Sequence, residues 1–273
     1  MVNRKEIFID HKSVPHGSAL LGRNQQQGAS ELQAGARAEL MPSPLTQALS
    51  SSRGRLIYQT TKFMIKHDGF RNYVAIRIPL AKQVIQGAIP FQNTRPLIVE
   101  LDVGFSPLSI LLAQELPNAT VIELDTEDVI QKRRERLKGA ILPSNLESVV
   151  ADLTAISLLD ALGGRKPDII EFTGAYHTYD ELVEILNYFQ SILNDGGSLA
   201  MYLPWQPAQE EIRAAVRFFK RQVGGYPGMV KNEDEIKAIF SRSNFKSHTV
   251  VFPSKYAHRQ KPLDVEVMVL AKN

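Results

Sequence analysis

Residues 96–125 read PLIVELDVGFSPLSILLAQELPNATVIELD. An apolar run from Leu97 to Val103 breaks at Gly104-Phe105-Ser106-Pro107, resumes with helical spacing from Leu108 to Leu116, and turns at Pro117-Asn118. It ends in a second run, Thr120 to Leu124, closed by Asp125. Runs of this length suit strands buried on both faces, and the helix between them is long enough to cross over to a parallel neighbour. A strand, turn, helix, strand unit therefore organises the chain. Ligands of open α/β sheets collect at the carboxyl ends of such strands, where a tight turn feeds a helix amino terminus.

Two acids in this stretch sharpen the expectation. Glu100 lies inside the first strand near its end, and Asp125 closes the second. A carboxylate at the second position offers two acceptor oxygens to the two donors of a ribose diol, so the unit asks for an adenosine-type ligand. Only Gly104 stands where a dinucleotide site carries G-x-G-x-x-G, which disfavours a pyrophosphate cradle and a nicotinamide oxidoreductase.

Composition sets the outer limits. The 273 residues are 44% hydrophobic and 22% charged, ordinary for a globular protein, and suffice for one elaborated domain or a domain with a cap. The net charge is +3 and the basic residues are spread along the chain, which argues against nucleic acid as a partner. Without cysteine there is no disulfide framework, thiol nucleophile or cysteine-held metal. No stretch approaches the roughly 20 apolar residues of a membrane span, and the amino terminus has no apolar leader core. The expectation is a cytoplasmic protein with no membrane partner.

Outside the central unit the pattern is uneven. Asn24 to Gly28, Pro42-Ser43-Pro44 and Ser50 to Ser52 read as loops, with a short helix over Ser30 to Leu40. Helical periodicity then places Leu56, Ile57, Thr60, Phe63 and Met64 on one apolar face. Asp68-Gly69 breaks it, and a second helix runs from Tyr73 to Ile85. Arg77 sits among apolar neighbours there and needs a carboxylate or a route to water. Solvated loop positions are the expectation for His11 and His16, and His67 faces the interior of the cap.

After Asp125, residues Glu127 to Gly139 form a helix whose run Lys132 to Arg136 reads as a solvated face. A third strand, Leu146 to Ala151, ends in Asp152-Leu153, where Asp152 also suits the N-cap of a helix starting near Thr154. The fourth strand, Asp168 to Phe172, leads through Thr173 to Thr178 into a helix from Asp180 to Leu193. The fifth, Ser198 to Leu203, is followed by Trp205, a packing residue or an aromatic wall, then helices at Ala208 to Val223 and Glu233 to Ser241. Lys246 to Phe252 and Val265 to Ala271 close the chain as an antiparallel pair. The expected fold is a three-layer, Rossmann-like α/β sheet of five parallel strands with a terminal hairpin. Residues 1–90 supply an amino-terminal segment and helical cap, and residues 91–273 the ligand-binding domain.

Glu100-Leu-Asp-Val-Gly-Phe-Ser-Pro107, followed by Ile110 to Ala113, Val121-Ile-Glu-Leu-Asp125, Val129-Ile130 and Lys132-Arg133, resembles the S-adenosylmethionine-dependent methyltransferases of the leucine carboxyl methyltransferase family. The likeness is to the bacterial branch described as polyketide O-methyltransferases, and it covers most of residues 70–273. It implies a class I methyltransferase sheet and transfer of a methyl group from S-adenosylmethionine, leaving S-adenosylhomocysteine. The acceptor would be a carboxylate or hydroxyl of a small, secondary metabolite.

By the same resemblance, Arg77 grips the methionine carboxylate and Asp125 holds the ribose. Asp152 accepts the adenine amino group while the Leu153 amide reaches a ring nitrogen. Glu100, Asp102, Gly104 and Thr173 complete the cofactor-binding set. Two departures stand out. The family usually has glycine at Asp102, where a carboxylate can either bind the cofactor's ammonium or crowd it, and it usually has a glutamate close to Thr173. Catalytic groups of this class often follow the fourth strand, which nominates His177 as a base and Tyr176 or Tyr179 as orienting groups. The alternative is a protein of this fold that binds the cofactor without transferring a methyl. Neither the acceptor nor the oligomeric state can be read from the sequence.

Overall fold

In the computed structural model, residues 23–62, 68–90, 92–153, 155–174, 177–211 and 229–273 are described. Seven strands make one sheet in the order β3-β2-β1-β4-β5-β7-β6. They are β1 (Leu97–Leu101), β2 (Thr120–Asp125), β3 (Leu146–Val150), β4 (Ile169–Thr173), β5 (Ser198–Pro204), β6 (Ser247–Val251) and β7 (Glu266–Lys272). The first five are parallel, and β7 runs antiparallel to both β5 and β6. This is the expected arrangement of five parallel strands with a terminal hairpin. The strand order reverses between β1 and β4, the point where open sheets of this kind leave a crevice.

Helices cover both faces because the central strands are buried on both. In chain order they are α1 (Arg23–Leu40), α2 (Pro44–Leu49), α3 (Ser52–Lys62), α4 (Asp68–Ala88), α5 (Leu108–Glu115), α6 (Glu127–Arg136), α7 (Leu158–Ala161), α8 (Tyr179–Ile192), α9 (Gln206–Glu211), α10 (Glu233–Ser241) and α11 (Pro253–Tyr256). On one face, Ile78 and Ile85 of α4 and Leu108 and Leu112 of α5 pack on Ile98, Val121, Ile169 and Met268. On the other, Leu182, Leu186 and Phe189 of α8 and Ile236 and Ile239 of α10 pack on Val99, Ile122, Ile170 and Met201. Alternate strand residues thus feed two cores. No described helix is long and apolar enough to cross a membrane.

The amino-terminal third departs from the expectation. The glutamine tract is helical, because α1 begins at Arg23, and the Pro42 to Ser52 stretch contains α2 rather than a continuous loop. Ser43 caps α2 by accepting the Thr46 amide while Thr46 reaches back to the Ser43 amide, and Pro44 starts the helix. That capping box was present in the sequence as Ser-Pro-x-Thr.

The face assigned to Leu56, Ile57 and Thr60 is also wrong. Leu56 is 68% exposed, and α3 turns Gly54, Tyr58 and Thr61 inward instead. The reason is a close helix crossing: a Cβ on Gly35 of α1 would lie 2.2 Å from the Gly54 carbonyl oxygen, and one on Gly54 would lie 2.4 Å from the Glu31 carbonyl oxygen. Small residues, not large apolar ones, make this contact. Asp68-Gly69 lies within α4 rather than before it, and His11, His16, Phe63, Met64, His67, Tyr176 and the span 212–228 lie outside the described residues.

Candidate active site

At the carboxyl edge, β1 ends and the chain turns back over β2. Asp102 (φ 51°) and Gly104 (φ 50°) both lie in the left-handed region, which glycine enters freely and aspartate tolerates. Gly104 is also sterically required, since a Cβ there would sit 2.6 Å from Ser30 Oγ of α1. The Gly104 amide donates to Asp125 Oδ2 at 2.9 Å and the Thr126 amide to Asp125 Oδ1 at 2.7 Å. Turn and acid are therefore one built unit.

The turn is braced from below. Arg133 of α6, fully buried, donates to Glu123 Oε2 (2.9 Å), to the Ser106 carbonyl (2.6 Å) and to Ser109 Oγ (3.2 Å). Glu123 also accepts from Ser109 Oγ at 3.0 Å and Ser148 Oγ at 2.8 Å. The expectation of a solvated basic face holds for Lys132, paired with Asp128, but fails at Arg133. The signal lay in Glu123: a carboxylate in the middle of a buried strand needs a cation, and Arg133 falls one helical turn after the buried Ile130.

Glu123 belongs to a row. It pairs in register with Glu100 of β1, and Glu100 with Glu171 of β4, so three adjacent strands present buried glutamates at one level. Glu100 accepts the Ser109 amide at 2.8 Å, and burial raises its pKa. Glu171 accepts no hydrogen bond from any described residue, and burial with the Glu100 charge pushes its pKa up to about 8. One level nearer the edge stands Asp102. It is exposed to solvent, and the surrounding protein with the Asp125 charge pushes its pKa up to about 7. Among the described residues, neither Asp102 nor Glu171 has a cation in hydrogen-bonding reach, although Arg77 acts on Glu171 through space.

Arg77 of α4 has found the carboxylate it needed, since its Nε donates to Glu266 Oε2 of β7 at 2.9 Å. Tyr73 donates to the same oxygen, the guanidinium lies 3.9 Å over the Tyr202 ring, and Tyr202 donates to the Arg77 carbonyl at 2.8 Å. The ion pair engages the guanidinium through Nε. Sequence reading missed Arg37 of α1, which reaches the carbonyl of Phe105 in the glycine turn.

Beyond β3, Asp152 and Leu153 are half-buried, beside the Ala151 amide that donates to the Asp125 carbonyl at 3.0 Å. Asp152 is not the cap of the next helix. Its carbonyl closes a turn with Ala155 and Ile156, and Ser157 caps α7. Thr173 ends β4 next to Tyr202 of β5. The His177 ring lies 5.5 Å from that of Phe172, its Nδ1 is buried without a partner among the described residues, and burial lowers its pKa. The result is a neutral imidazole able to accept a proton.

Tyr179 departs from its expected orienting role. Its hydroxyl lies 2.6 Å from Glu235 and 2.8 Å from the Met229 carbonyl, which ties α8 to α10. Trp205 packs edge-on against Phe252 at 5.2 Å.

No family model and no curated protein matches the chain. Solved structures do. The plantazolicin methyltransferase in complex with a triazolic desmethylPZN analogue and S-adenosylhomocysteine is similar over 92% of this chain and 99% of its own, with TM-score 0.55 and 11% identity. A protein from Nostoc punctiforme described among the O-methyltransferases gives TM-score 0.54 and 12% identity over 87% of this chain and 71% of its own. Human N-acetylserotonin methyltransferase, in complex with S-adenosylmethionine, gives 0.51 and 11% over 78% of this chain, which spans 58% of that enzyme. These likenesses establish the class I methyltransferase sheet. They are to O-methyltransferases and a plantazolicin methyltransferase, and give no support to the leucine carboxyl methyltransferase family in particular.

Proposed function

We propose that this chain is an S-adenosylmethionine-dependent methyltransferase acting on an oxygen of a small molecule. The observation that carries the reading is Asp125, fixed at the end of β2 by the Gly104 and Thr126 amides, beside the point where the strand order reverses. Thr126 Oγ1 also reaches Oδ1 at 3.4 Å, so Oδ2 is the oxygen with an acceptor direction left to offer a hydroxyl. The residues present fit the cofactor in their chemistry: an acid for the ribose diol at Asp125 and a carboxyl at Asp102 for a cationic group.

In this reading Asp125 holds the ribose, and Asp152 with the Leu153 amide takes the adenine edge. Asp102, Glu100 and Thr173 border the amino-acid end, with arginine from the helices above. When bound, the cofactor supplies a methyl group already activated by a positively charged sulfur. The protein's share is to exclude water, align the acceptor oxygen and keep it deprotonated. A carboxylate acceptor arrives ionised, whereas a hydroxyl would give its proton to His177 Nδ1. The acceptor class implied by the sequence resemblance is a small secondary metabolite.

Calorimetry with S-adenosylhomocysteine, followed by incubation with methyl-labelled S-adenosylmethionine and a small-molecule extract, tests this. Binding with label transfer supports the proposal, and base-labile label would mark a methyl ester. Absence of binding at millimolar ligand would overturn it. Binding without transfer to any extract would favour the alternative of a cofactor-binding protein without transfer, which the acid at Asp102 motivates.

A further inference from the structure

We propose that Tyr58 and Arg71 form an oxyanion-binding site within the amino-terminal cap, where α1, α3 and α4 meet. The site shares no residue with the proposed cofactor site and does not depend on that reading.

The close crossing at Gly35 and Gly54 lays the next turn of α3 against α1. Tyr58 falls on that turn and packs with Leu32, Ala36, Leu40, Ile57 and Val74. It is only 3% exposed, and its hydroxyl has no hydrogen-bond partner among the described residues. Buried hydroxyls are normally paired, because a bare one forfeits its bonds to water and gains nothing in return.

Arg71, three residues before Val74 on α4, is a second orphan beside the first. Its Nε is buried and also lacks a partner among the described residues. The guanidinium is near enough to act on the Tyr58 hydroxyl, yet no hydrogen bond joins the two. Arg71 as a whole is half-buried, so the pair lies near the surface of the cap.

Charge at this junction is unbalanced. Arg77, Arg133 and Arg136 each meet a carboxylate, whereas Arg71 meets none in hydrogen-bonding reach among the described residues. The acid that acts on it through space, Glu39, already accepts from Lys62 on Oε1 and from Gln59 on Oε2. Glu39, Lys62 and Arg71 all act on Tyr58, so one negative charge stands against two positive. A cation would be repelled here, and a neutral ligand would leave the extra charge unanswered.

A guanidinium offers two parallel N–H donors to two oxygens of one anion, and the Tyr58 hydroxyl adds a third donor. The apolar bed beneath Tyr58 strengthens such bonds. Two sources carry that chemistry: inorganic phosphate, and the carboxylate of an organic acid.

Calorimetry and melting curves with sodium phosphate and with sodium benzoate, at an ionic strength held constant with sodium chloride, test the site. Wild-type protein should bind at least one of the two anions and melt at a higher temperature in its presence. Arg71→Met should weaken that binding by about 10–100-fold, with Arg71→Lys, which keeps the charge but loses the fork, falling between. Tyr58→Phe removes only an unpartnered hydroxyl, so without anion it should melt no lower than wild type, while its anion affinity drops by about 5–10-fold. Preference for phosphate identifies a free inorganic anion and preference for benzoate an organic acid, and either supports the site. A lower melting temperature for Tyr58→Phe without anion would mean that the hydroxyl has a partner within the protein, and would overturn the inference. So would unchanged anion affinity in Arg71→Met or Tyr58→Phe, and so would failure of wild-type protein to bind either anion.

Discussion

The two halves of the carboxyl edge are built differently. Over β2, every acid is answered: Glu123 by Arg133, Ser109 and Ser148, and Asp125 by two backbone amides. Over β1 and β4, among the described residues, Asp102 and Glu171 have no cation in hydrogen-bonding reach, His177 Nδ1 has no partner, and Arg37 has no carboxylate. Buried polar groups are normally satisfied, and each exception asks for an explanation. The difference teaches that the β2 half is internally satisfied, while the other half holds polar groups whose partners are not among the described residues.

The largest expected effect breaks the β2 half. Arg133→Met should cost about 3–5 kcal/mol of stability, since it leaves Glu123 buried without its cation, and a urea or thermal melt would read it. A loss below about 1 kcal/mol would mean the brace is not energetically coupled to the turn. Next, His177→Ala should lower turnover on a hydroxyl acceptor by about 100-fold or more while S-adenosylhomocysteine affinity holds. Because burial lowers its pKa, the acid limb of the rate profile should lie below the ordinary histidine value. An unchanged rate would make His177 structural or the acceptor a carboxylate.

Asp125→Asn should weaken S-adenosylhomocysteine binding by roughly 10–100-fold, the loss of a charged hydrogen bond to the diol. Unaltered affinity would move the ribose elsewhere. The smallest effect has the opposite sign. Glu171 is harder to ionise in the folded protein, so the folded state holds its proton to about pH 8 while the unfolded chain releases it near 4.3. Native stability should therefore fall as pH rises through that window. Glu171→Gln should leave stability at pH 4 unchanged and raise it at pH 8, where the unfolded chain alone has released the proton. Equal melting curves for both proteins at pH 8 would show that Glu171 is compensated after all.

Legibility in the sequence followed distance along the chain. β1, α5 and β2 fell within a residue or two of expectation, and α10 matched it at both ends, because periodicity and turn residues are local signals. The positions of Gly104 and Asp125 were legible for the same reason, since both sit at the ends of recognisable strands, while the bond between them appears only in the structure. The α1–α3 region misled because its contacts depend on Gly35 and Gly54, which leave no hydrophobic trace. Tyr179 misled because its partner, Glu235, lies far along the chain, whereas Arg133 misled because it sits in a run of charges that hides the one side chain turned to Glu123.

The sequence by itself determined that an alternating α/β sheet would form with a glycine turn over an acid, since strand burial, helix spacing and turn chemistry are written residue by residue. Only the tertiary structure decided which charges meet. Arg77 took Glu266, Arg133 took Glu123, and Arg37 was left beside the turn without a carboxylate, because ion pairing follows distance in space and the cost of burial, and neither is visible along a chain.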